Sequence, residues 1–290
     1  MLPGLPYILI YSSEYALIAA GFSLVYRTGR AFHFALGAII ATGAYSLFAL
    51  AVRASLPFSL AVPLAVAIAS SVGLLIEVVV YAPIRRRWSA PLTLLVGSLG
   101  VYAVLQNLIA ATFGDDTKQV ISGVVRGVSF FGVSLTTIQL AIPAAGMLLL
   151  ACLAMLMGMT RIGKSMKAVA DDTELATACG IRTERAALWA SGIAGALGGS
   201  VGVLLALDVD ATPTMGMKPL MVGLVAAIVG GLGSIPGMIL GALMLGLAQY
   251  ACIATIGSRW QDAGAFAILL IFLLFRPYGI FGRKLRKAEI

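Results

Sequence analysis

Apolar residues run through this chain in blocks of membrane-crossing length, separated by short polar stretches. Only helices and closed barrels satisfy every backbone group in lipid, and the two-residue alternation of a barrel is absent. The pattern therefore predicts an all-α, polytopic helical membrane protein. Blocks at residues 7–26, 34–52, 56–84, 91–113, 138–157, 187–207, 221–233, 238–254 and 263–275 give about eight to nine spans. The uncertain crossing is the short block 221–233, which ends in Gly230, Gly231 and Gly233. Residues 1–290 read as a single transmembrane domain.

One long polar run interrupts the apolar blocks, TRIGKSMKAVADDTELATACGIRTERAALW at residues 160–189. Ala, Lys, Met, Leu and Glu favour a helix over 164–179, and Gly180 is placed to end it. A soluble segment, 160–187, thus sits between two spans. Held firmly there, such a helix is a handle through which a soluble partner can move both spans. By periodicity alone the run fits an ordinary cytoplasmic loop equally well. Within it, Gly158 to Ser165 matches the phosphate-binding pattern G-x-x-x-x-G-K-S. That loop needs a buried strand before it and a metal-binding Asp on another strand of the same sheet. Here an apolar span precedes it, so the chain is not expected to bind ATP itself.

Composition supports this class. Hydrophobic residues make up 60% and charged residues 11% of the chain, against about 25% charged in soluble domains. The net charge of +8 is not spread as a nucleic-acid surface would need. Basic residues cluster between spans, at Arg27 and Arg30, at Arg85 to Arg87, in the central run, and in the tail 276–290. By the positive-inside rule these clusters are cytoplasmic, which puts the N-terminus outside and the C-terminus inside. The N-terminal MLPGLPYILI lacks the basic region of a cleavable signal and is expected to remain as a span. Cys152, Cys179 and Cys252 imply no disulfide framework.

Polar residues inside the blocks are the candidates for function. Glu14 follows Ser12 and Ser13 in the outer half of the first span, where an acid is a functional candidate but also reaches headgroups easily. His33 is the single histidine, expected at the interface beside Arg30. Glu77, eight residues before Arg85, is expected to pair with a basic neighbour. Gln106 and Asn107 read as helix-joining amides, and the glycines of 187–207 as a packing face. The connection 114–137 suits strand pairing or a partner surface. Residues 208–218 are too polar to span, and read as an outer loop or a re-entrant break facing the path, with Asp208, Asp210 and Thr212.

These stretches resemble one family. YALIAAGFSLVY (15–26), FHFALGA (32–38), IEVVVYAPIRRR (76–87) and LLVGSLGVYAVLQN (94–107) are similar to permease subunits of branched-chain amino-acid ABC importers of the Liv type, especially the H-type subunit. GKSMKAVADDTELATACGI (163–181), VGGLGSIPGMILGALMLGLAQ (229–249) and RPYGIFG (276–282) continue the resemblance over most of the chain. It implies that 164–180 is the coupling segment, docking on a separate ATPase. Lys164, Lys167, Asp171, Asp172, Glu174 and Gly180 are then the coupling residues, and Glu14, Phe34, Gly37, Asp208, Asp210 and Thr212 the candidate path. It also implies a second permease chain of M type, two cytoplasmic ATPase subunits that use the ATP, and a periplasmic or extracellular solute-binding protein. The chain itself would bind no cofactor and lie in the bacterial inner membrane. One departure stands out, because the family's His and Glu after N-F-A are replaced here by Leu36 and Ala38.

The expected function is therefore a permease subunit moving a small polar solute, branched-chain or other hydrophobic amino acids first, urea, amides or small organic acids as the alternative. A stand-alone carrier or channel would need coupling-ion acids in the membrane, and only Glu14 and Glu77 qualify. A membrane enzyme finds no Ser/His/Asp set, metal cluster or convergent carboxylate pair in the sequence.

Overall fold

The computed structural model describes residues 4–87, 91–121, 127–130, 133–276 and 279–281. It opens with α1 (Leu5–Gly29) and α2 (Leu36–Leu47), the latter prolonged by a π-helical turn, Phe48–Arg53. Next, α3 (Phe58–Ile76) runs through a second π turn, Glu77–Tyr81, into α4 (Ala82–Arg87), and α5 (Pro91–Phe113) follows. A hairpin of β1 (Gly127–Phe130) and β2 (Val133–Thr136) leads into α6 (Thr137–Met159). Two short helices, α7 (Arg161–Asp171) and α8 (Thr173–Ala178), precede α9 (Thr183–Val209). The chain ends with α10 (Met217–Gly230), α11 (Ile235–Thr255) and α12 (Gln261–Phe275).

Among the described residues, seven helices are long and apolar enough to cross a membrane: α1, α2 with its π turn, α3 through α4, α5, α6, α9 and α11. The remaining two apolar helices, α10 and α12, have 14 and 15 residues. At 1.5 Å per residue each covers about 21–23 Å, short of a hydrocarbon core of about 30 Å. Seven long and two short helices account for the expected eight to nine. The expected strand pairing in 114–137 is also present, as the β1–β2 hairpin capped by Thr136 at the start of α6.

The core is built on α1 and α9, whose apolar windows are 83% and 72% buried, while α5 is only 17% buried and shows Leu92, Val96 and Val104 to the outside. In lipid, helices gain nothing by hiding apolar area from one another, so close backbone contact must supply the association. The glycines of α9 provide it. A Cβ on Gly202 would sit 1.9 Å from the Ile40 carbonyl oxygen of α2, and one on Gly195 2.9 Å from the Ala69 carbonyl oxygen of α3. The approach is mutual, since Gly43 of α2 meets the Gly199 carbonyl and Gly73 of α3 meets that of Ser191.

One loop expectation changes, and for residues 208–218 one of the two expected readings holds. His33 does not lie at the interface but is fully buried, its Nδ1 2.7 Å from the Tyr81 hydroxyl. Burial drives its imidazole down to about 3, so it stays neutral. The connection 210–216 is a re-entrant break. Ala211 forms an antiparallel bridge with Lys118, and its carbonyl accepts from Tyr45, whereas Gly216 packs on Gly37. Tyr45 and Gly37 are eight residues apart on α2, so the break descends about 12 Å into the bundle. That descent explains why α10 is short.

At the far end, backbone N–H groups of Ile280 and Phe281 donate to the carbonyls of Val229 and Gly230 at 2.9 and 3.2 Å. They satisfy acceptors that the end of α10 leaves open.

Gly202→Ala is expected to cost about 1–3 kcal/mol, because the new methyl meets backbone that cannot turn away. It should lower the thermal midpoint in detergent, whereas Gly158→Ala, whose Cβ meets open space, should leave it equal or higher.

Candidate functional site

The polar run forms a two-helix corner, not the single helix expected over 164–179. Thr160 starts it: its hydroxyl accepts from the Gly163 N–H at 3.0 Å and donates to the Leu156 carbonyl at 2.7 Å, fixing the turn out of α6. Gly163 permits the tightness of that turn, since a Cβ there would lie 2.4 Å from the Leu156 oxygen and from Met157 Cα. The phosphate-loop pattern 158–165 is thus spent on a helix-to-helix corner, with α6 where a strand would be needed.

Every third residue of α7 faces inward, and Gly163, Met166 and Val169 are buried in the core shared with α1, α6 and α9. Lys164, Lys167 and Asp171 point outward. The helix stops at Asp172, because that residue turns to cap the next one. Its Oδ1 accepts from the N–H groups of Glu174 and Leu175, both at 3.0 Å. Helix α8 closes as expected at Gly180, which has φ +82. Gly180 N–H bonds the Thr177 carbonyl and Ile181 N–H the Ala176 carbonyl, both at 2.9 Å, the paired closure that a left-handed glycine allows.

The corner is tied to the spans. Asp171 Oδ1 accepts from Arg27 at the end of α1 at 2.9 Å, and Arg27 also donates to the Gly233 carbonyl ahead of α11 at 3.2 Å. Arg86 grips both carboxylate oxygens of Glu184 at 2.9 Å, joining α4 to the first turn of α9. Deeper, Glu77 pairs with Arg85, and Ser191 of α9 donates to its other oxygen at 2.8 Å. The expected structural role of Glu77 is therefore realised through a hydrogen-bonded pair that leaves neither oxygen free.

The candidate path residues fall into two groups. Glu14 lies about 14 Å along α1 from its start and is 4% exposed, so it faces other helices and not headgroups. Asp208, near the end of α9, accepts from Gln139 through its Oδ1 at 3.0 Å. Among the described residues no hydrogen bond or ion pair holds Glu14. Asp210, with φ +70, begins the re-entrant break, and Thr212 turns it by accepting from the Met215 N–H at 3.2 Å. Phe34 and Gly37 lie deeper. The Phe34 N–H donates to Ser98, and a Cβ added at Gly37 would lie 3.2–3.3 Å from Tyr102, Leu220 and the Gly216 carbonyl oxygen.

Residues 4–274 match the family model described as the permease component of the branched-chain amino acid transport system. The chain belongs to this family. It is 32% identical to the high-affinity branched-chain amino acid transport system permease protein LivH of Escherichia coli, over 93% of this chain and 92% of that one. BraD of Pseudomonas aeruginosa, named as a permease of the same kind, is 31% identical over 95% and 94%. Among solved structures, PsaBC from Streptococcus pneumoniae in complex with Fab aligns with a TM-score of 0.52 over 97% of this chain and 95% of that one. Its identity is 13%, a likeness of fold alone.

The chain is thus a multi-pass transport permease of this family. Sequence reasoning missed Arg27, Thr160 and Gly163 as parts of the corner. The spacing Thr160-x-x-Gly163 was a readable capping signal, but the reach of Arg27 to Asp171 crosses 144 residues and leaves no local trace.

Asp172→Ala should remove the cap of α8 at a cost of about 0.5–2 kcal/mol, while Asp172→Asn should keep it. Hydrogen exchange over 173–178 is expected to speed up in the first variant only.

Proposed function

We propose that this chain is the translocating permease subunit of a binding-protein-dependent ABC importer, with branched-chain or other hydrophobic amino acids as cargo. The observation that carries the reading is the α7–α8 corner, two soluble helices clamped between spans by buried Met166 and Val169 and by the Arg27–Asp171 pair. A push on such a corner is transmitted to α1, α6 and α9 together, because all three pack against α7. The names carried by the LivH and BraD relatives support the cargo.

In this reading the corner and the C-terminal tail are cytoplasmic and the N-terminus is outside. Two ATPase subunits bind and hydrolyse the ATP, a second permease of M type completes the pathway, and a solute-binding protein delivers cargo at the opposite face. The weakly buried α5 and α6 supply surface for lipid or for the second permease. Lys164, Lys167 and Glu174 are the charges best suited to dock the ATPase, since they are exposed and make no ion pair among the described residues. Asp171, Asp172 and Gly180 instead hold the corner in shape. On the path, Glu14 and Asp208 form an acidic position suited to the ammonium group of an amino acid.

The test is copurification from native membranes together with uptake. Charge reversal of Lys164, Lys167 and Glu174 should strip the ATPase pair while leaving the second permease bound, and uptake should fall at least about ten-fold. Recovery of the chain alone, still moving solute in vesicles without ATPase, would favour a stand-alone carrier.

A further inference from the structure

On the flank of the corner, between α7 and the first turns of α9, lies an open groove of about 380 Å³. Arg161, Arg182 and Arg185 line it together with Trp189, Ile162 and Ile181, and no acidic residue does. The three guanidinium groups are exposed, and among the described residues none forms an ion pair or hydrogen bond. The nearest acid in sequence, Glu184, is already held on both oxygens by Arg86. No side chain caps the first turn of α9. Three positive charges therefore converge on one concavity without internal compensation.

We propose that this groove is a binding site for the phosphate headgroup of an anionic phospholipid. The vertical order of its residues selects a lipid over an acidic protein surface. Arg182 and Arg185 stand where α9 begins, and Trp189 follows one turn, about 6 Å, further into the span. Trp189 is 51% exposed, an outward-facing indole in the second turn of α9, and such aromatics are enriched at the headgroup boundary of spans. Arginine forks match a phosphate in two-point geometry. The apolar wall of Ile162 and Ile181 lies beside the phosphate position, and Trp189 beside the upper acyl chain. An acidic protein loop would use the arginines but leave the exposed indole without purpose. The site depends on no assumption about cargo or about a partner ATPase.

Trp189 reports on its own site once Trp88→Phe and Trp260→Phe remove the other two tryptophans. The full chain is reconstituted in phosphatidylcholine vesicles doped with either brominated phosphatidylglycerol or brominated phosphatidylcholine. Trp189 should be quenched preferentially by the anionic lipid, and Arg161→Gln, Arg182→Gln and Arg185→Gln together should weaken that preference at least about ten-fold. Quenching by brominated phosphatidylcholine should match that of the unsubstituted arginines, showing that the indole is still in place, and the corresponding Lys variants should restore part of the preference. Equal quenching by both lipids, or a preference that survives the Gln variants, overturns the proposal. Abolition of the preference by inorganic phosphate assigns the groove to a free anion and overturns it too. So does loss of a copurifying protein from the Gln variants with lipid preference unchanged, which would assign the arginines to an acidic protein surface.

Discussion

The distance between the backbone of α9 and those of α2 and α3 is the constraint on which the rest of the molecule depends. Lipid tails are as apolar as the side chains they would replace, so these helices associate only by coming close enough for dense packing. Gly195, Gly199 and Gly202 on α9, with Gly43 and Gly73 opposite, set that approach. Once α9 is fixed there, its first turn meets Arg86 of α4 and its last turn brings Asp208 to Gln139 of α6. Both ends of the bundle are thus positioned from one packed centre.

That centre explains how a soluble corner can be stiff. Helix α7 is too short to be stable alone in water, since isolated helices need roughly 12–15 residues even with favourable composition. It is held by burial of one face against spans already locked by glycine packing, and by caps at Thr160 and Asp172. Charge in the corner divides by duty. Asp171 and Asp172 are occupied in holding the shape, whereas Lys164, Lys167 and Glu174 make no ion pair among the described residues. A charge's availability to another molecule follows from what it does within its own chain, and exposure alone does not reveal this.

Much of the architecture was legible in sequence because lipid imposes a coarse rule. Apolar blocks of span length and the clustering of arginines identified nearly every helix, and the glycine pattern of 187–207 correctly marked the packing face. Glu77 beside the Arg85 to Arg87 cluster was readable as a pair, and Gly180 as a helix end. What stayed hidden depends on contacts between distant residues. Asp172 favours a helix start as readily as a charged surface, and only the fold decides that it splits the segment in two. Nothing near His33 in sequence announces Tyr81, so its burial was invisible. Residues 208–218 announced a break but not its direction, which Tyr45 and Gly37 on a separate helix reveal.

The closure of α10 by the backbone of Ile280 and Phe281 carries a consequence for how the protein is made. Helix α10 is inserted with its final carbonyls open, and their donors are encoded some fifty residues later, beyond α11 and α12. The segment that follows the re-entrant break therefore stays incomplete while the ribosome is still adding two further helices. Synthesis order thus leaves the rim end of α10, beside the Arg27–Gly233 contact, as the last helix end to be closed, and a chain arrested before residue 280 would leave the Val229 and Gly230 carbonyls without these donors.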